Sequence, residues 1–336
     1  MKKIKPIYLG FLVVFLSACG GSVLDVNPAE SKLKIKTQNI EKELFSSFGA
    51  FKFCYYDLAN EDIDLANYWT VYCLQFGEIP DSTFEKKFID FHKVPILKQT
   101  HSEIKKEFKD LSKTEEEIVN GFKRLSIHLP HAKFPSTIYF SYSGFQSSAF
   151  CTDKSVMIGL ERYLGEKNKI TQSLPPNLFY EWVKKGMNPI YLERDAVCSW
   201  AITHLVDLEN PRNTIEALIN YGKVIYLTEA AFPEMEKEKI IRYSKRDYDW
   251  AMRNESAFWQ YIVDQKQLFI LDDKIMANYL QESPFTAGIP MKGPDRLGQF
   301  LGWRIVQSYM EQYDITIKEL IDLPYTELLQ EYEVNE

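Results

Sequence analysis

The 336-residue chain carries 40 Lys and Arg against 47 Asp and Glu, a formal net charge of -7, with 14% aromatic residues and 15 glycines. That balance argues against nucleic-acid binding, which draws its affinity from clustered Lys and Arg that displace phosphate counterions, and no basic, aromatic-rich stripe is present. Length and apolar content suit one large domain, or two closely packed subdomains, with a substantial core.

The chain opens with Lys2, Lys3 and Lys5 ahead of a ten-residue apolar run at 7–16, too short for the ~20 helical residues that cross a bilayer. Leu16-Ser17-Ala18-Cys19 follows, a small-residue cleavage site ending in a cysteine that can receive lipid. Cleavage after residue 18 and a covalent lipid on Cys19 are therefore expected, and no other cofactor. Loss of three lysines and no acid would take the formal charge from -7 to -10. Acyl chains hold a protein at a membrane on their own, so no second hydrophobic membrane segment is needed, and none is apparent. Residues 19–36, with Gly20, Gly21, Ser22 and Pro28, read as a polar tether, and 37–330 as a single domain.

Within that domain, 37–130 is read as helical. Phe84, Phe88, Phe91 and Val94 recur at three and four residues, as do Ile118, Phe122, Leu125 and Leu129. Asp81-Ser82 and Ser112-Lys113-Thr114-Glu115 look like helix starts, and Pro130 stops the second helix. The pattern then changes. STIYFSY at 136–142 is β-branched and aromatic, and Ala149-Phe150-Cys151 and Val156-Met157-Ile158 supply two more strands, read as a small antiparallel sheet. After Pro175-Pro176 helical periodicity returns, with helices expected at 194–208, 212–231, 244–266, 272–281, 296–312 and 316–321. The class is α+β, predominantly α.

Cys54, Cys73, Cys151 and Cys198 are dispersed, without a CxxC pair or metal-type spacing. They read as four buried thiols. If one bridge forms, Cys54 and Cys73 are its best candidates, since an oxidising periplasm permits disulfides.

A helical part, a short sheet, then a helix bearing a His and a second helix is the layout of zincin-type metallopeptidases. Those enzymes place two His one turn apart with a Glu between them, so that both rings face one metal and the Glu takes a proton from its water. The corresponding stretch is Trp200-Ala201-Ile202-Thr203-His204, where Trp200 and Ala201 replace the first ligand and the base. Where an acidic third ligand is supplied by a Glu-Gly pair, the chain has Tyr221-Gly222. His204 alone reads as a satisfied core histidine, and Cys198, six residues from it, as a buried thiol without a base. His128 and His131 flank a helix end. No Gly-rich phosphate loop occurs. Catalytic and metal residues are expected to be absent, so the chain is not read as an enzyme.

Buried polar groups need partners. Glu255, Arg296 and Arg304, interleaved with Trp250, Trp259 and Trp303, read either as a structural ion pair between Glu255 and an arginine or as a ligand-contacting cleft, with His204 and Tyr221 as further candidates. Pro284-Phe285-Thr286, with Gly288 and Pro290, would edge such a cleft as a rigid loop. Gly298 and Gly302, four apart on one helix, permit close approach of another, while Leu301, Ile305 and Tyr309 make a core stripe.

The ordered set YGKVIYL at 221–227, Tyr243-Ser244, Trp250, Asn254-Glu255, Trp259, Pro284-Phe285-Thr286, Pro294-Asp295-Arg296-Leu297-Gly298 and LGWRIVQSY at 301–309, with IGLERYLG at 158–165, resembles GldB-type gliding-motility lipoproteins of the Bacteroidetes. The resemblance implies a lipid-anchored cell-envelope protein whose partners are the membrane and other envelope, motility or secretion proteins, type 9 secretion among them. It also implies a zincin-like scaffold whose metal motif has degenerated, leaving a non-catalytic binding module. The alternative is an envelope metal-dependent hydrolase or peptidase with an unconventional site. In such bacteria an acid run after the lipidated Cys tends to mark surface export. None follows Cys19, which implies the periplasmic face of the outer membrane.

Overall fold

A computed structural model describes residues 23–332, apart from Pro80 and Met291. The expected signal, the Cys19 attachment site and the first residues of the expected tether lie outside these. From Leu24 onward that tether is laid on the body: Leu24 is buried, a 3₁₀ turn at Pro28–Glu30 packs on a later helix, and the Ser31 hydroxyl meets that of Ser126 at 2.6 Å. Lys36–Asn39 then forms an edge strand, β1.

The N-terminal part is helical, as its periodicity indicates. Helix α1 (Phe48–Glu61) is capped by the Ser47 hydroxyl. Helices α2 (Phe84–His92) and α3 (Pro95–Glu107) are separate, because Pro95 opens a new helix and leaves Val94 exposed rather than on the apolar stripe. Phe51, Trp69, Phe76, Phe84 and Phe88 gather here into one aromatic cluster, most of its rings tilted or edge-on. Trp69 ties it to the sheet by donating to the Tyr142 carbonyl at 3.0 Å. Helix α4 (Ser112–His128) buries Ile118, Phe122 and Leu125.

Three further strands follow, β2 (Thr137–Ser141), β3 (Ala149–Cys151) and β4 (Ser155–Gly159), in the order β1-β2-β4-β3. The sheet is mixed, not antiparallel. β1 and β2 run parallel, as do β2 and β4, and only the β3–β4 hairpin is antiparallel. β2 and β4 are buried at every residue, the pattern of central parallel strands covered on both faces rather than of a half-solvated hairpin. The edge strand β1 escapes sequence reading because KTQN is polar and short.

The C-terminal helices form the main core. Helix α5 (Leu192–Trp200) runs into a π-helical turn at Ala201–Leu205 and packs on β3, β4 and α4. Helix α6 (Thr214–Ala231) is buried nearly all round and pairs most extensively with α10 (Leu297–Gln312). Between them come α7 (Lys245–Arg253), α8 (Glu255–Asp264) and α9 (Asp273–Leu280). The single helix expected over 244–266 is broken at Asn254, whose side-chain amide bonds back to the Trp250 carbonyl at 2.8 Å and ends the first helix. Helices α11 (Ile317–Asp322) and α12 (Tyr325–Gln330) are the last described elements, the former with a Thr316–Glu319 capping box. The four cysteines among the described residues are free thiols; Cys54, Cys73 and Cys198 are buried and Cys151 is half-buried.

Candidate functional site

The richest cleft, about 840 Å³, lies between the helix Glu181–Gly186, the start of α7 and the loop at 281–296 that joins α9 to α10. The loop is braced from within. Thr286 gives its backbone N–H and hydroxyl to the Pro294 carbonyl at 3.0 and 2.7 Å, its hydroxyl oxygen accepts from Leu297 N, and Ser283 N donates to the Asp295 carboxylate. Pro284 and Phe285 edge the cleft, and Phe285 is 54% exposed. Trp182, Tyr191, Tyr243 and Trp250 supply aromatic walls. The Gly293 backbone lies against the Trp250 ring so closely that a Cβ there would come within 2.6 Å of it.

Two arginines make the floor. Arg242 and Arg296 both adopt left-handed backbone, φ 58° and 52°, a conformation that costs a non-glycine residue of order 1 kcal/mol or more and persists where the surroundings over-determine it. Arg296 donates from Nε to Asp295 at 2.9 Å and from Nη2 to the Arg242 carbonyl at 3.1 Å, above the Tyr243 ring. Arg242 gives Nη2 to the Gly186 carbonyl at 2.8 Å, lies over the Tyr191 ring, and faces Asp195 at 3.5 Å and Glu282 at 3.2 Å. Asp195 is itself shared, accepting from Arg194 and from the Tyr163 hydroxyl, each at 3.0 Å. Burial opposes the charge on Arg242, yet Asp195 and then Glu282 outweigh it and hold the guanidinium more firmly protonated than usual. Partial burial at the cleft wall works to raise Glu282, but Arg242 and Arg296 hold its carboxyl below the ordinary range.

The eight residues singled out in the sequence do not meet in one place. Trp250 and Arg296 line this cleft. Glu255, Arg304 and Trp259 belong to a separate buried network in which Arg304 Nε donates to Glu255 at 2.9 Å, Tyr332 donates to the same carboxylate at 2.7 Å, and Trp259 packs edge-on to Tyr332. Gln307 extends the network, accepting from Arg304 and donating to Glu229, which also takes the Trp303 indole N–H at 2.8 Å and the Lys237 ammonium. These polar groups satisfy one another, and at one end Glu229, Gln307 and Lys237 border a second cavity of about 770 Å³.

His204 sits elsewhere again, on the π turn. Its Nε2 lies 2.9 Å from the Thr152 carbonyl, so that nitrogen carries the proton, and its ring packs 4.0 Å from the centre of Trp200. Trp200 in turn donates to the Lys133 carbonyl. His204, His131 and Asp322 border a small cavity of about 170 Å³, but among the described residues no three His, Cys, Asp or Glu side chains converge as a metal-holding group. Tyr221 is half-buried on α6, its phenol pushed up by burial and then by Cys198.

Sequence reading missed Arg242, Glu282, Asp195 and Trp182. Only Arg242 left a signal, a lone charge inside Ile240-Ile241-Arg242-Tyr243. The acids that neutralise it come from α5 and from the chain just after α9, far away in sequence.

The body is thus mostly helical α+β, with an arginine-floored, aromatic-walled cleft. The chain matches gliding motility protein GldB over residues 23–334 and belongs to that family of gliding-motility-associated lipoproteins. Membership associates it with the cell envelope and with motility machinery. Comparison with curated proteins and with solved structures finds no match. Among the described residues no helix is long and apolar enough to cross a membrane.

Proposed function

We propose that this protein is a non-catalytic binding module of the gliding apparatus, held by lipid on Cys19 at the periplasmic face of the outer membrane, and built on a metallopeptidase-like scaffold that has given up its metal-holding side chains. The observation that carries the reading is the division of labour between two places. The cleft combines a buried charged floor, aromatic walls with Phe285 exposed at the edge, and a braced rim, the composition of a recognition site. In the metallopeptidase-like reading, Trp200 and Ala201 occupy the positions of a ligand and a base, and His204, the one imidazole left to that motif, donates to the Thr152 carbonyl instead.

A photo-reactive phenylalanine analogue at Phe285, in cells whose gliding shows the protein to be functional, should crosslink a discrete envelope partner, and Trp250→Ala should abolish that product. Functional protein that yields no crosslink from this rim would end the reading. The second reading, a metal-dependent envelope hydrolase, has in its favour that His131, His204 and Asp322 border one cavity. Stoichiometric zinc in purified protein, lost together with hydrolytic activity in His204→Ala, would establish it instead.

A further inference from the structure

The two guanidiniums of the cleft floor, and that of Arg194 behind them, differ in how firmly each is partnered. Arg194 and Arg296 have Asp195 and Asp295 beside them in sequence, at 3.0 and 2.9 Å. Arg242 has only a share of Asp195, at 3.5 Å, since that carboxylate also serves Arg194 and Tyr163. The rest of its counter-charge comes from Glu282, which faces Arg242 at 3.2 Å and Arg296 at 4.0 Å. Glu282 differs from the other acids of the floor. Its side chain is 47% exposed, whereas those of Asp195 and Asp295 are 7% and 15% exposed, and it stands at the cleft wall.

We infer that Glu282 holds the place of a ligand carboxylate, and that the cleft binds a carboxylate-bearing peptide end by exchanging that group for Glu282 on Arg242 and Arg296. The inference rests on the cleft being the recognition site. The exchange is isoelectric: one carboxylate leaves the two guanidiniums for solvent and another arrives, so no buried cation is left uncompensated at any stage, the condition that makes breaking a buried pair costly. The guanidiniums need not move. Tyr191 and Tyr243 lie beneath them, and the Gly186, Ile241 and Arg242 carbonyls fix their N–H groups, so the fork is pre-organised for a carboxylate. Trp182, Trp250 and Phe285 offer apolar surface to the residue that carries it. Two sources present this chemistry: the C-terminus of a polypeptide and the stem peptide of a cell-wall fragment.

The test follows the six tryptophan indole signals of the full chain, labelled with ¹⁵N-tryptophan, during titration with N-acetylphenylalanine, N-acetyl-D-alanyl-D-alanine and the amide of each. The acids should shift the Trp182 and Trp250 signals while the amides leave them in place, and Glu282→Gln should tighten the acids by roughly two- to fivefold, the scale of one displaced, half-exposed ion pair. Arg242→Met should abolish the response. Should that variant fail to fold, Glu282→Gln, at a half-exposed position, still decides. The preferred acid identifies the source. Equal responses to acid and amide, no response to either acid, or weaker binding in Glu282→Gln would each overturn the inference. Crosslinks from Phe285 that persist despite such a result would leave the recognition site standing and remove only its carboxylate chemistry.

Discussion

Gly222 of α6 and Gly302 of α10 meet backbone to backbone. A Cβ on Gly302 would lie 1.7 Å from the Leu218 carbonyl oxygen, and one on Gly222 would lie 2.1 Å from the Gly302 carbonyl carbon. Nothing flexible stands at the contact to yield, so the two helix axes are as close as they are only because both positions lack a side chain. Leu301, Trp303 and Ile305 are buried around this crossing. Gly302→Ala should therefore lower stability by more than the ~1–3 kcal/mol typical of an overpacked core, and Gly222→Ala comparably. Urea denaturation of each variant measures it; a loss under ~1 kcal/mol would mean that the helices separate easily.

Glu255 and Arg304 form an ion pair 2.9 Å apart, their side chains 4% and 14% exposed. Removing one partner leaves the other charged and buried, so Arg304→Met or Glu255→Gln alone should cost ~3–5 kcal/mol, while the double replacement should cost clearly less than the sum. A double-mutant cycle on unfolding free energy reads the coupling. Strict additivity would show that the pair contributes nothing as a pair.

Lys223 reaches from α6 to the carbonyls of Ile321 and Leu323, at 3.0 and 2.7 Å, at the end of α11. Burial pushes its ammonium down to about 8, against partial support from Asp322 and Glu216, from an ordinary value of 10.5. Between these values the unfolded chain holds the extra proton, so the Lys223 contribution to stability rises with pH from about 8 upward. Below pH 8 both states carry the proton and the cost of burying the charge is present in full. Above pH ~10 tyrosine ionisation in the unfolded chain pulls the other way, because burial raises Tyr226 and Tyr139 in the fold. The difference in stability between the native chain and Lys223→Met should thus change with pH over 8 to ~10; a constant difference there would refute the assignment.

Thiol chemistry gives a further check. Burial pushes Cys54 and Cys73 up to about 12 and Cys151 to about 11. At pH 8 they should react with iodoacetamide far more slowly in the folded chain than in urea, since the thiolate is the nucleophile. Equal rates in the two states would contradict this.

The helical faces were legible because burial leaves a period: Phe84 and Phe88, or Ile118, Phe122 and Leu125, announce a stripe whatever lies opposite. The glycines of α10 announced a close approach but not its partner, for nothing local marks Gly222 as the other half. Strand direction was illegible for a different reason. Buried parallel strands such as β2 and β4 lack the polar alternation that tells one face from the other, and β1 pairs with β2 across about a hundred residues of intervening helices. The cleft was the least readable part. Arg296 and Trp250 drew attention through the aromatics near them in sequence, whereas Arg242, Asp195 and Glu282 acquire meaning only when three distant segments bring their charges together. Clustering in sequence also grouped Glu255, Trp259, Trp303 and Arg304 with the cleft, although packing uses them to fill the core.

The burial of Leu24 sets a working distance. With that side chain seated in the body, an acylated Cys19 would have only five residues of leash, at most ~18 Å when fully stretched, instead of the longer free arm that Gly20, Gly21 and Pro28 suggest. A body moored in that way would stay within that reach of the bilayer surface, and a partner of its cleft would have to meet it there.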